Sequence, residues 1–224
     1  ITTRLVGSEM CIRDRFITHA HTDHILGAIW IVRMVIQRMK KGEYNGTFTI
    51  YSHDKALKVL ESVCHMTLPE KDLSFLGKSI FLKEVKDSDM FCIDNIKFQC
   101  FDILSTKEKQ FGFCAQLANG IKVACLGDEP YNEENRTYVE NADWLLCEAF
   151  CLYEERDIFK PYEKHHSTAL EAGILANKLN VKNLLLYHTE DKNLKTRKSS
   201  YSKEASQYFQ GNVFVPNDLE IIHF

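Results

Sequence analysis

No run of about 18 apolar residues occurs anywhere in the 224 residues, so no membrane-spanning helix is expected. No apolar core precedes a small-residue cleavage site near the start, which therefore does not read as a secretory signal. The eight cysteines contain no C-x-x-C pair. Most of them read as small core residues of a reduced, cytoplasmic protein, with Cys92, Cys100, Cys114 and Cys125 inside apolar strand-like runs. Positive charge is not in excess: the formal net charge is −3, which argues against a dedicated nucleic-acid binder. Internal repeats, low-complexity segments and linkers are absent as well. With 45% hydrophobic residues, the chain is expected to form one globular domain with a sizeable core.

What is present is a dense ligand cluster. Phe16-Ile17-Thr18 runs into His19-Ala20-His21-Thr22-Asp23-His24, three histidines and an aspartate within six positions. Strand alternation would send His19 and His21 to one face and so to one ion. Where the strand gives way to a loop, Asp23 and His24 could turn toward a second ion. Imidazole and carboxylate together suit Zn²⁺, with Mn²⁺ or Fe also accommodated, and so many ligands are costly to bury without a metal.

This H-x-H-x-D-H signature, preceded by Ile17-Thr18 and followed by Gly27, resembles the metallo-β-lactamase superfamily. The resemblance implies an α/β fold, the αβ/βα four-layer sandwich, and hydrolysis of esters, thioesters, amides or phosphodiesters with one or two metals. Residues 1–15 do not look like this fold. Val6–Arg15 has neither strand nor helix period and resembles translated sequencing-adapter read-through. The expected organisation is thus a non-native leader over 1–15 and a domain over 16–224 that lacks its first N-terminal strands.

Along the chain, Ile25, Ile29, Val32, Ile36 and Met39 recur at helical spacing up to about Gly42. Thr47–His53 alternates as a strand, and Asp54 is placed to cap a helix running to about Met66. His53 and His65 stand outside any ligand cluster and read as structural or exposed. Strands are expected at 79–85, 90–93, 97–103, 111–117 and 122–126, forming a meander with hairpin turns at Asp94-Asn95 and Asn119-Gly120. A short strand at 144–148 follows. The last third alternates a helix over 168–180, a strand over 183–187, a helix over about 203–209, and strands over 213–215 and 219–223.

Further matches narrow the resemblance to the ribonuclease Z-like phosphodiesterase branch. Asp128 follows Gly127 at a strand end, where the superfamily places a carboxylate bridging two metals. His188 ends the run Leu184–Tyr187 and matches the last metal histidine. His165-His166-Ser167-Thr168-Ala169 resembles the branch's His-Ser-Thr-Ala element, which gives His166 the role of protonating the leaving oxygen; His165 is the substitute. The same residues carry a purely structural reading, because Thr168-x-x-Glu171 is a capping box. Leu145–Phe150 resembles the branch's His-Glu-Ala-Thr stretch with Cys147 and Phe150 replacing its end members. There Glu148 would orient His166 or a ligand, and Cys147 reads as core. The implied metal ligands are therefore His19, His21, Asp23, His24, Asp128 and His188, and the implied catalytic residues are Asp23 and His166.

Two departures bear on function. The family's further metal histidine is missing from Phe101–Lys107, leaving Asp102, Ser105 or water to compensate, or a single-metal site centred on Asp23, His24, Asp128 and His188. Only 23 residues separate Leu104 from Asp128, and two strands use them, so no transfer-RNA arm fits. The basic run Lys192, Lys195, Arg197, Lys198 and Lys203 reads as a solvated loop or a phosphate track. The expected function is a metal-dependent phosphodiesterase using water activated by Zn²⁺. Its substrate would be a phosphodiester or another small hydrolysable molecule, with RNA not favoured, no membrane partner, and homodimerisation allowed. The alternatives are a thioester or lactone hydrolase of the same fold, a non-catalytic metal-binding protein, and a fragment too incomplete to fold.

Overall fold

A computed structural model describes residues 14–192 and 194–224. They form a mixed α/β structure that divides after Val85 into two compact units. Residues 1–13 of the expected leader lie outside the described residues, while Asp14 and Arg15 belong to the first strand.

The first unit contains β1 (Asp14–Phe16), α1 (Thr22–Lys40), β2 (Phe48–Ser52), α2 (Asp54–Thr67), the single-turn α3 (Glu70–Leu73) and β3 (Ile80–Glu84). Its three strands lie in the order β1-β2-β3, all parallel. Parallel neighbours need crossover connections, and α1 and α2 provide them. Ile25, Ala28, Val32, Val35 and Ile36 form the buried stripe of α1 and share a core with Leu57, Leu60 and Cys64 of α2 and with Phe48, Ile50 and Ile80. The buried Asp72 of α3 pairs with Lys40 and accepts a 3.3 Å hydrogen bond from Gln37, fixing α3 to α1.

Three expectations change here. The 79–85 strand is not part of the meander: β3 pairs in parallel with β2, Phe48 opposite Ile80. Hydrophobic alternation identifies a strand but not its partner. Helix α2 begins at Asp54, but its N-cap is His53, whose Nδ1 accepts the Ala56 N–H at 3.4 Å. The strand entering the histidine cluster ends at Phe16, so neither His19 nor His21 lies in a strand, and Asp23 and His24 sit in the first turn of α1 rather than in a loop.

The second unit runs β4 (Met90–Ile93), β5 (Ile96–Asp102), β6 (Phe111–Gln116), β7 (Lys122–Cys125), α4 (Arg136–Val139), β8 (Trp144–Glu148), α5 (Arg156–Phe159), α6 (Ala169–Lys178), β9 (Asn183–Tyr187), α7 (Arg197–Ala205) and β10 (Asn212–Phe214). Its sheet has the order β10-β9-β8-β7-β6-β5-β4. From β4 to β7 the pairing is antiparallel, and from β7 to β10 it is parallel. Strand alternation divides the apolar residues between two faces. Ala124, Leu145, Cys147, Leu184 and Leu186 join α6 and α7 in one core, whereas Val123, Trp144 and Leu185 join Phe98, Phe113 and Phe214 in another. The two helices touch closely: a Cβ on Gly173 would lie 2.3 Å from the Ala205 carbonyl oxygen.

The two-residue turn at Asp94-Asn95 and the capping box at the start of α6 form as expected, the latter with Thr168 N–H donating to Glu171 at 2.9 Å. Residues 219–223 form no strand; Glu220 N–H instead bonds back to the Asn217 carbonyl, closing a turn. The last helix starts at Arg197, earlier than the expected 203. Cys92 is exposed, contrary to a core role, whereas Cys100, Cys125 and Cys147 are buried, and all seven described cysteines are free.

Candidate functional site

In the first unit, β1 is extended by an Ile17 N–H bond to the Tyr51 carbonyl, and the buried Ser52 hydroxyl donates to the Ile17 carbonyl at 2.6 Å. These bonds fix the chain just before the histidines. His21 has an extended backbone as the N-cap of α1, and its carbonyl receives the His24 and Ile25 N–H groups. His19 Nε2 lies 2.9 Å from His21 Nδ1, and the His19 and His24 ring centres are 4.1 Å apart. Asp23 is exposed, with its carboxylate 3.3 Å from His24 Nε2. The structure thus gathers all four residues of the signature. It does so through a helix start, where a carboxylate in the first turn is favoured by the helix dipole.

In the second unit the candidates Asp128, Glu148 and His188 stand at the ends of parallel strands and His166 in a loop. Gly127, after β7, has φ +79°, and any Cβ there would lie 2.2 Å from the Gln110 side-chain oxygen. That space is used by a two-point clasp. Gln110 Nε2 donates to Asp128 Oδ1 at 2.5 Å, and the Asp128 N–H donates to Gln110 Oε1 at 2.6 Å. Both residues are buried. His188, one residue beyond β9, has φ +54° and places Nε2 3.7 Å from Asp128 Oδ2. The Tyr187 hydroxyl donates to the Gly127 carbonyl, so the residue before His188 is tied to the residue before Asp128.

Glu148 ends β8 fully buried. The Ser167 N–H and hydroxyl donate to its Oε1 at 2.6 and 2.7 Å. Its other oxygen, Oε2, lies 3.7 Å from His166 Nδ1, and both atoms are buried with no hydrogen-bond partner among the described residues. Burial raises the Glu148 carboxyl to about 8 against the opposing Ser167 bonds. Burial, then the charge of Lys107 and the neighbouring His188, lowers the His166 imidazole to about 4. At neutral pH the pair therefore holds a proton on the carboxyl and none in excess on the ring. Phe150 stacks on His166 at 4.9 Å, and the His166 and His188 ring centres are 5.0 Å apart.

Glu148, His166 and His188 each present a donor atom, and these atoms lie within 4.8 Å of one another. One carboxylate and two imidazoles, with two orphaned donor atoms among them, fit a Zn²⁺-type ion. Sequence motifs mark Glu148 only as an orienting group and do not mark Gln110 or Tyr187 at all. A glutamine in a loop and a tyrosine ending a strand carry no motif. The two residues expected to compensate for the missing histidine are engaged elsewhere. Asp102 accepts the Leu104 N–H at 2.8 Å, and the Ser105 hydroxyl donates to Glu129 at 2.5 Å. His165 has φ +55° and lies 3.1 Å from the Thr106 hydroxyl, so it is the loop partner of the pair rather than the residue beside Glu148. In the basic run, Arg197 is buried and bonded to Thr189 and the Pro216 carbonyl, and Lys198 pairs with Glu220.

Comparison with known proteins finds relatives in sequence and in fold. A ribonuclease Z of Bacillus mycoides (strain KBAB4) is 25% identical, with 93% of this chain and 80% of that protein covered. Its alignment spans 260 positions, more than the 224 residues here, so it carries segments that this chain lacks. A ribonuclease Z of Prochlorococcus marinus (strain NATL1A) is 29% identical over 56% of this chain, which spans only 33% of that protein's length. Among solved structures, the metallo-beta-lactamase fold protein YhfI from Bacillus subtilis superimposes with a TM-score of 0.73 at 18% identity, covering 92% of this chain and 75% of that one. The human short-form tRNase Z gives 0.66, also at 18%, covering 94% and 78%. These similarities show the metallo-β-lactamase fold expected from the histidine signature. Residues 16–189 match the profile of the beta-lactamase superfamily domain, and the chain belongs to that family.

Proposed function

We propose that the protein is a metal-dependent hydrolase of small phosphodiesters. The single observation that carries the reading is the strand-end pair Asp128 and His188, 3.7 Å apart, with the Asp128 carboxylate clasped by Gln110 and the buried Glu148–His166 pair beside it. Within the first unit His19, His21, Asp23 and His24 are proposed as metal ligands, and within the second Asp128 and His188, for zinc, manganese or iron. When bound, such an ion supplies Lewis acidity and brings the pKa of water toward ~7.

The protein's own groups do the rest. Asp23, exposed in the first turn of α1, accepts the proton of the attacking water. His166 donates a proton to the leaving alkoxide, a step worth ~10²–10⁴-fold. The ring stays neutral through this step, because Nδ1 takes up the Glu148 proton from Oε2, 3.7 Å away, as the other ring nitrogen gives its proton up. Ser167 keeps Glu148 in place through two hydrogen bonds to the other oxygen. RNA is a weaker candidate than a small diester, because Arg197 and Lys198 of the basic run are already engaged.

The test is an assay of an activated phosphodiester beside a thioester and a lactone, with metal content measured and chelator added. Chelator-sensitive hydrolysis of the diester, lost in Asp23→Ala, is expected. Hydrolysis that survives complete metal removal overturns the reading. Preference for the thioester or lactone would assign the bond differently, and one bound metal with no turnover would make this a binding protein.

A further inference from the structure

A cleft of about 260 Å³ opens beside His166 in the second unit. Pro130, Tyr131, Tyr162, Ala172 and Leu175 form its apolar walls, and His166, Ser167 and Glu171 form its polar edge. We infer that this cleft is the leaving-group subsite and accepts an uncharged, apolar alcohol the size of one or two aromatic rings. The inference rests on the proposed hydrolase reading, in which His166 protonates the leaving oxygen.

Size, charge and hydrogen bonding each narrow the occupant. An engineered apolar cavity of ~150 Å³ holds benzene, so 260 Å³ admits a ring or a fused pair. An anionic group would meet the Glu171 carboxylate at the wall. A polyhydroxy group would find few partners, because Ser167 and Glu171 are already bonded within the protein. The Tyr162 hydroxyl donates to Glu171 Oε1 at 3.0 Å, the Thr168 N–H and hydroxyl take Oε2 at 2.9 and 2.8 Å, and Ser167 is held by Glu148. An apolar ring breaks none of these bonds and covers the faces of Leu175 and Ala172.

The experiment uses two methyl aryl phosphodiesters whose phenols have matched acidity, one neutral and one carrying a carboxylate. The metal-loaded wild-type protein should show about 10–200-fold higher kcat/KM for the neutral ester. Leu175→Trp, a change at a half-exposed position of α6, should abolish most of that preference by filling the cleft. A second readout needs no turnover: phenol titrated into the metal-free protein should shift the NMR signals of Leu175, Ala172 and Tyr162, and Leu175→Trp should remove the shifts. Equal kcat/KM for the two esters, or phenol shifts that map elsewhere, overturns the subsite. If neither ester is hydrolysed yet phenol binds at Leu175, the hydrolase reading fails and the cleft stands.

Discussion

His19, His21, Asp23 and His24 come from six consecutive positions at the start of one helix, whereas Asp128, Glu148, His166 and His188 come from three strand ends and a loop. Closeness in the chain brings the first group together: an extended His21 and the first turn of α1 place the His19 and His21 nitrogens 2.9 Å apart. The second group has no such continuity and is held by dedicated partners. Gln110 grips Asp128, Tyr187 grips the carbonyl before it, and Ser167 grips Glu148. A local constellation is set by a few adjacent residues, while an assembled one depends on partners far away in the chain.

Substitutions should expose that contrast. The largest effect is expected from His166→Ala, which removes the proposed proton donor: kcat should fall ~10²–10⁴-fold while the urea midpoint stays near that of the wild type. A wild-type kcat would remove His166 from the chemistry. Gly127→Ala should come next, combining a left-handed backbone with a Cβ 2.2 Å from Gln110. A loss of about 3 kcal/mol is expected from urea melts, and an unchanged melt would mean that the clasp yields freely. Gln110→Leu leaves the fold but frees the Asp128 carboxylate, so zinc affinity measured against a chelating dye should weaken about 10–100-fold. Undiminished affinity would show that Asp128 needs no brace.

The smallest effect is expected at the opposite ends of the same strands. Asp143, just before β8, accepts the Lys122 N–H at 2.8 Å and the Lys182 ammonium at 2.6 Å. These bonds, the Lys122 N–H first, hold its carboxyl below the usual range. The folded protein thus binds this proton less readily than the unfolded chain. The resulting stability is present above the ordinary carboxylate pKa and is lost as pH falls through the lowered one. Asp143→Asn should cost about 0.5–1 kcal/mol at pH 7, given its partial exposure, and nothing in strong acid. A penalty that persists at low pH would point to packing instead of charge.

The same contrast decided what could be read from the sequence. Signals that lie within a few residues were legible: the apolar spacing of Ile25, Val32 and Ile36, the Thr168–Glu171 capping box, the Asp94-Asn95 turn, and the strand Asn183–Tyr187. Partner choice was not. The pattern at Ile80–Glu84 marks a strand but does not say that its neighbour is β2 rather than the meander. Leu219 and Ile221 alternate like strand residues, yet the Asn217–Glu220 turn takes that backbone out of any sheet. Within the site, the histidine signature and the strand-end Asp128 and His188 were visible because each carries a local pattern. Gln110 and Tyr187 act across 18 and 60 residues of chain, a distance at which no sequence period operates.

The change of strand direction at β7 sets an order in time. On one side β7 joins β6 through a short hairpin, and on the other it must await β8 and β9 by longer crossovers. Closing the 60-residue Tyr187–Gly127 contact costs about 1 kcal/mol more chain entropy than closing the 18-residue Gln110–Asp128 clasp. Refolding should therefore fix Asp128 before His188 arrives beside it. In pulse-labelled hydrogen exchange the amides of β6 and β7 should gain protection ahead of those of β9, and the reverse order would refute it. A chain stalled between those two events would present its carboxylate to solvent metal with half of the second unit's donors still missing.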